Sequence, residues 1–192
     1  MRWLCRGNPG CTMRSSTKLL IVAVNVLACV ETNAQENAAK RVTEWPGVPY
    51  SRVVGYSFVP DSKDDEFTLL RDGKFNEAKL KEVKTKEAVL AANQTKNLLK
   101  ATFDYSRRTQ GAACYEPHHI FVFYDSASHP IGAIEICFSC RHIGSWPVPA
   151  KQVNGHDFAA LAKLSWKLGL GLGSPKVSLD WYLDLLKSFE IR

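Results

Sequence analysis

Residues 118–125 read HHIFVFYD and residues 131–138 read IGAIEICF, with only SASHP between them. Both runs are short, rich in β-branched and aromatic residues, and bounded by turn formers, which predicts two strands. A connection of this length leaves an antiparallel hairpin as the solution. With Ser126–His129 as the loop, Asp125 falls opposite Pro130, and partner numbers sum to about 255. Alternation then puts His118, Ile120, Val122 and Tyr124 on one face with Ala133, Glu135 and Cys137. His119, Phe121 and Phe123 share the other face with Ile134, Ile136 and Phe138. That second face is continuously apolar and is expected to be core. A slip of one residue would exchange His118 for His119 opposite Cys137.

The open end of this hairpin gathers the candidate chemistry. Cys114 lies just before it, beyond Pro117, and Cys137 and Cys140 lie at the end of its second strand. Several readings follow from these residue types. Three thiolates and His118 or His119 would make a Cys3His tetrahedron suited to zinc, with Cys-x-x-Cys as one half-site. Alternatively Cys114 bridges Cys137 or Cys140 in a disulfide, leaving one buried thiol. Closing a loop of about 25 residues in this way adds about 3 kcal/mol. In a third reading Cys137 and Cys140 cycle between dithiol and disulfide. Nucleophilic catalysis by Cys114 with His118 or His119 is a fourth. Covalent haem needs Cys-x-x-Cys-His, and Arg141 interrupts that pattern. Glu135 shares the Cys137 face and could orient a histidine, or simply be a half-exposed strand carboxylate. His129, His142 and His156 are expected at the surface, with His142 a spare ligand beside Cys140 in the metal reading.

The N-terminus bears on which of these is chemically reasonable. Arg14 and Lys18 precede the apolar run LLIVAVNVLACV, and ETNAQE follows. Basic, apolar, then polar with small residues is the order of a secretory signal, with cleavage expected after Ala34. A start at Met13 would give a more usual signal length and would remove Cys5 and Cys11. The same stretch allows a lipobox ending at Cys29, which would be the lipidated residue, or a retained anchor. Contact with a membrane is expected only through such a lipid or an uncleaved signal. An exported chain belongs in the periplasm or cell envelope, where disulfides persist. Three cysteines beyond the signal make an odd number, so one disulfide leaves a thiol over.

Charge excludes one class of partner. The formal net charge is +6, and the first 34 residues, with four basic side chains against Glu31, carry half of it. The rest is too weakly basic for nucleic acid, which requires a dense basic stripe. The lysines between Lys79 and Lys86 alternate with glutamates and read as a solvated face.

Residues 35–47 are polar and end in EWPG, a linker closing in a turn. Residues 48–192 then form one domain. RVVGYSFV at 52–59 is predicted as a strand, and residues 60–66 as an acidic loop lacking a calcium-loop pattern. Phe75–Val89 fits helix or strand. Residues 93–103 predict a helix capped by Asn93, burying Leu98, Leu99 and Phe103. Asp157 and Ser178 are predicted to cap two further helices. GLGLGSP between them has neither the preceding strand nor the Lys-Ser pair of a phosphate loop, so it reads as a linker. The expected fold is α+β: a small, mainly antiparallel sheet, including the Cys/His hairpin, covered by three or four helices.

Over Cys114–Cys140 the chain resembles a family of uncharacterised bacterial exported or lipoprotein-type proteins. These carry Cys-x-x-Pro-x-His, strand, turn, strand, Cys-Phe-x-Cys. The matching positions are Cys114, Pro117, His118 or His119, Cys137, Phe138 and Cys140. The resemblance implies a fold unit rather than a reaction. A binding or structural role is therefore expected ahead of an enzymatic one, with thiol–disulfide exchange through Cys137 and Cys140 as the alternative.

Overall fold

A run such as RVVGYSF has no polar alternation, so both of its faces must be covered. The computed structural model meets this demand with a sheet sandwiched between two apolar layers. It describes residues 45–60, 67–105, 111–150, 153 and 155–189, all within the unit Val42–Arg192. The expected signal with its candidate lipidation site Cys29, and residues 61–66 of the predicted acidic loop, lie outside the described residues.

In chain order the elements are β1 (Arg52–Phe58), β2 (Leu70–Arg71), β3 (Lys74–Phe75), α1 (Glu77–Val83), β4 (Lys84–Val89) and α2 (Ala92–Phe103). Then come β5 (His119–Tyr124), β6 (Pro130–Cys137), β7 (His142–Trp146), α3 (Phe158–Lys167) and α4 (Leu179–Lys187). Five strands form one antiparallel sheet in the order β4-β1-β5-β6-β7, and β2 and β3 form a small hairpin of their own. The fold is α+β, with four helices among the described residues.

The predicted hairpin is β5–β6, in the predicted register. His119 faces Ile136, Ile120 faces Glu135 and Phe121 faces Ile134. A bulge after Phe123 shifts the last pair to Tyr124 and Pro130. Asp125 closes the turn: its backbone N–H bonds the His129 carbonyl, and its Oδ1 accepts from the His129 N–H at 2.8 Å. The chain does not stop at a hairpin, however. RHIGSW, for which no strand is predicted, supplies a third strand, with Cys137 paired to His142 and Glu135 to Gly144.

One face of the sheet carries Val53, Phe121, Phe123, Ile134 and Ile136. Against them pack Leu98 and Ala101 of α2, Phe158 and Leu161 of α3, and Tyr182 of α4. The opposite face is a second core: Val54, Tyr56, Ile120, Val122 and Ala133 lie under Phe67, Leu69 and Leu80. Burying a large aliphatic or aromatic side chain contributes about 1.5–3 kcal/mol, so neither layer is dispensable.

Local signals place the helices. Asp157 Oδ1 accepts the Ala160 N–H at 2.9 Å, and Ser178 Oγ accepts the Trp181 N–H at 3.2 Å, so both predicted caps form. Asn93 is not the cap of α2. The helix begins at Ala92, and Gln94 Oε1 reaches back to the Ala91 N–H at 2.7 Å. The ambiguous stretch after Phe75 splits into α1, capped by Asn76 Oδ1 on the Lys79 N–H, and the edge strand β4. The supposed linker GLGLGSP is a packed loop. Gly169 ends α3 with φ +75°, and the Leu170 N–H returns to the Ser165 carbonyl at 3.0 Å. Left-handed glycines at 169, 171 and 173 alternate with Leu170 and Leu172, which are both buried. Trp45, the first described residue, packs into the domain. Its Nε1 donates to the Pro147 carbonyl at 2.8 Å, and its ring meets Phe123 edge-on at 5.0 Å.

Candidate functional site at the open end of the hairpin

Where β6 ends, Cys137–His142 encloses a four-residue turn in which Arg141 takes φ +53°. This turn holds Cys140 inward, fully buried, and Cys114 closes onto it in a disulfide with the two Cα atoms 5.7 Å apart. The segment leading to Cys114 is tied to the same turn by the Ala112 N–H on the Cys140 carbonyl at 2.9 Å. Cys114 itself is exposed. Cys137 is a free thiol and fully buried. Its sulfur accepts the Cys140 backbone N–H at 3.2 Å and lies 3.3 Å from Ser139 Oγ, which is also 3.7 Å from Cys140 Sγ.

This arrangement selects among the sequence readings. The bridge is Cys114–Cys140, so Cys137 and Cys140 are not joined as a Cys-x-x-Cys redox pair. With two of the three sulfurs in a disulfide, a Cys3His zinc site lacks its thiolates. No group of three or more His, Cys, Asp or Glu among the described residues stands ready to hold a metal.

The two histidines part company. His119 is fully buried on the helical face, its ring 5.0 Å from Phe138 and edge-on to it. Among the described residues neither of its ring nitrogens has a hydrogen-bond partner. Burial first, and the neighbouring His118 second, push its pKa down to about 4, against the nearby backbone of Leu170 and Gly171, which lies outside hydrogen-bond geometry but favours the charged ring. His118 packs instead on the glycine loop. A Cβ at Gly173 would stand 2.6 Å from His118 Cδ2, and burial lowers its pKa too. His129 and His142 are exposed as expected. His156 is not: its Nδ1 lies 2.7 Å from the Thr102 carbonyl, and burial lowers its pKa.

A measurable consequence follows for His119. Above its ordinary pKa of 6.5 the ring is neutral in both folded and unfolded chains. Between pH 6.5 and about 4 the unfolded chain takes up a proton that the folded one refuses, so stability falls with pH. The loss from this residue reaches about 3 kcal/mol near pH 4 and then levels off. Urea denaturation of the wild type and His119→Phe across this range should show the excess slope in the wild type alone. Parallel profiles would contradict the assignment.

Glu135 neither orients a histidine nor sits half-exposed. It is fully buried on the face opposite His119. Its Oε2 accepts from Thr68 Oγ1 at 2.6 Å and Tyr115 Oη at 2.9 Å, and its Oε1 from the Leu69 N–H at 2.7 Å. Desolvation raises its pKa, while these three donors pull it back. Burial and the adjacent carboxylate raise the Tyr115 phenol as well. One carboxylate thus ties the 67–70 crossing and the Cys114 segment to the middle of the sheet. Sequence reasoning missed Thr68 and Tyr115, since neither lies in a motif with Glu135. The one available sign was a charged residue inside an otherwise apolar strand.

Tyr115 reaches the carboxylate because its neighbour in the register is a glycine. A Cβ at Gly144 would sit 2.8 Å from Tyr115 Oη. Gly144→Ala should therefore cost about 1–3 kcal/mol by overpacking. That cost should shrink in a Tyr115→Phe background, measured by urea denaturation of the four proteins of the cycle. An undiminished cost would place the strain elsewhere.

No protein-family model, curated protein or solved structure matches this chain. Function must therefore be argued from the site alone. Glu135, His119 and Cys137 are fully buried, and Tyr115 and His118 partly so. A depression of about 430 Å³ lies between Phe67 and Phe75, lined by the Glu135 partner Thr68 and by charges of both signs, Arg71, Lys74 and Lys79 with Asp72 and Glu77.

Proposed function

We propose that this is an exported cell-envelope protein with a binding or structural role, whose hairpin is stapled by Cys114–Cys140. The disulfide is the observation that carries the reading: such bonds are kept in oxidising compartments and lost in reducing ones. The basic-then-apolar N-terminus supplies an independent reason for export. Among the described residues no helix is long and apolar enough to cross a membrane. The acid and base candidates, Glu135 and His119, sit on opposite faces of the sheet and are both fully buried, which favours a structural use of each.

The test is to express the full chain in a bacterial host, recover it from the periplasm, and determine its N-terminus and its cross-linked peptides. A new N-terminus near Gln35, together with a Cys114–Cys140 linkage, is the expected result. An uncleaved cytoplasmic protein with all thiols reduced would overturn the proposal.

A further inference from the structure

The disulfide and the buried thiol are neighbours in one tight turn, and that juxtaposition supports a second chemical state. We propose that Cys137 displaces Cys114 from Cys140, converting the long-range staple into a local Cys137–Cys140 disulfide and releasing Cys114 as an exposed thiol. The inference rests on the disulfide reading above.

Three features of the site support it. Cys137 opens the turn that carries Cys140, three residues further along, so the two cysteines share one short loop. Cys140 donates its backbone N–H to Cys137 Sγ, and Ser139 Oγ lies against both sulfurs. These contacts hold Cys137 Sγ against the Cys140 main chain, beside the bond it would attack. The leaving sulfur differs in setting: Cys114 is exposed, so its departing thiolate is hydrated as it forms.

The step balances without an outside reagent. The Cys137 thiolate attacks Cys140 Sγ, the Cys114–Cys140 bond breaks as the Cys137–Cys140 bond forms, and the electron pair leaves on Cys114. The proton given up by Cys137 is regained from solvent by Cys114. One disulfide and one thiol exist before and after. What changes is their position: the thiol moves from a site closed to solvent to one open to a partner's thiol or disulfide.

The test is positional labelling of the oxidised protein under native conditions. The chain is incubated with a maleimide at pH about 8, near a thiol's ordinary pKa, for the hours over which uncatalysed rearrangement runs. Unfolding and cleavage after Glu135 then separate Cys114 from the Cys137 and Cys140 peptide. Label on Cys114, with Cys137 and Cys140 linked to each other, is the expected result, and it should vanish in Cys137→Ala. That variant keeps Cys114–Cys140 and should still unfold cooperatively in urea, which separates loss of exchange from loss of fold. Label on Cys137 with Cys114–Cys140 intact would overturn the exchange. So would no label at all, or label on Cys114 and Cys140 together, which signifies reduction by an outside thiol. Three reduced thiols at the outset would instead remove the disulfide reading, and the exchange with it.

Discussion

Glu135→Ala is expected to destabilise the domain by about 3–5 kcal/mol, since removing one member of a buried polar set strands the others. Thr68 and Tyr115 would each keep a hydroxyl, and Leu69 an N–H, facing the space the carboxylate leaves under the sheet. Each buried donor left unmade costs about 1–3 kcal/mol. Glu135→Gln should lose much less, because the amide keeps an acceptor for Leu69 and the two hydroxyls can turn to accept from its NH2 group. Urea midpoints of the two variants, with unchanged slopes, would establish the order. A loss below about 1 kcal/mol for the alanine variant would mean that water already reaches the network, since exposed groups pay no such penalty.

The second large effect concerns the staple. Replacing Cys114 and Cys140 together by alanine should cost about 3 kcal/mol by chain entropy, for a bond joining residues 26 apart. Both must be changed. With Cys114 alone removed, Cys140 would remain beside Cys137 and could pair with it. The pair substitution and Glu135→Ala should not add. Cys114 and Tyr115 are consecutive, one held by the bond and the other by the carboxylate, so both devices restrain one segment. The triple variant should therefore lose less than the separate costs combined, again measured in urea. Simple additivity would mean that the two restraints act independently.

How much of this was legible in the chain differs by element. The β5–β6 register was readable because two apolar runs at close range leave few ways to pair. The capping signals at Asp157 and Ser178 were local and held for the same reason. The third strand was hidden because His142, Gly144 and Ser145 carry little β preference; β7 is made by pairing with β6 rather than by its own propensity. Likewise, nothing in GLGLGSP distinguishes a packed loop from a linker, since the burial of Leu170 and Leu172 depends on a core assembled from distant segments.

At the site, the residue types pointed to the right place and left the connectivity open. Three cysteines at one end of a hairpin allow several pairings, and which one closes depends on where the turn at 138–141 aims Cys140. Glu135 was noticed for its face, yet its partners come from segments that alternation within the hairpin cannot reach.

The edge strand β4 has a bearing on how the protein behaves at high concentration. Beyond its bonds to β1, a strand in that position offers a row of backbone donors and acceptors to any second chain. Lys84, Lys86 and Glu87 project along it, exposed. Two copies laying these edges together would have to strip water from these charges. The lysines act as gatekeepers on this edge, raising the cost of pairing a second chain along it.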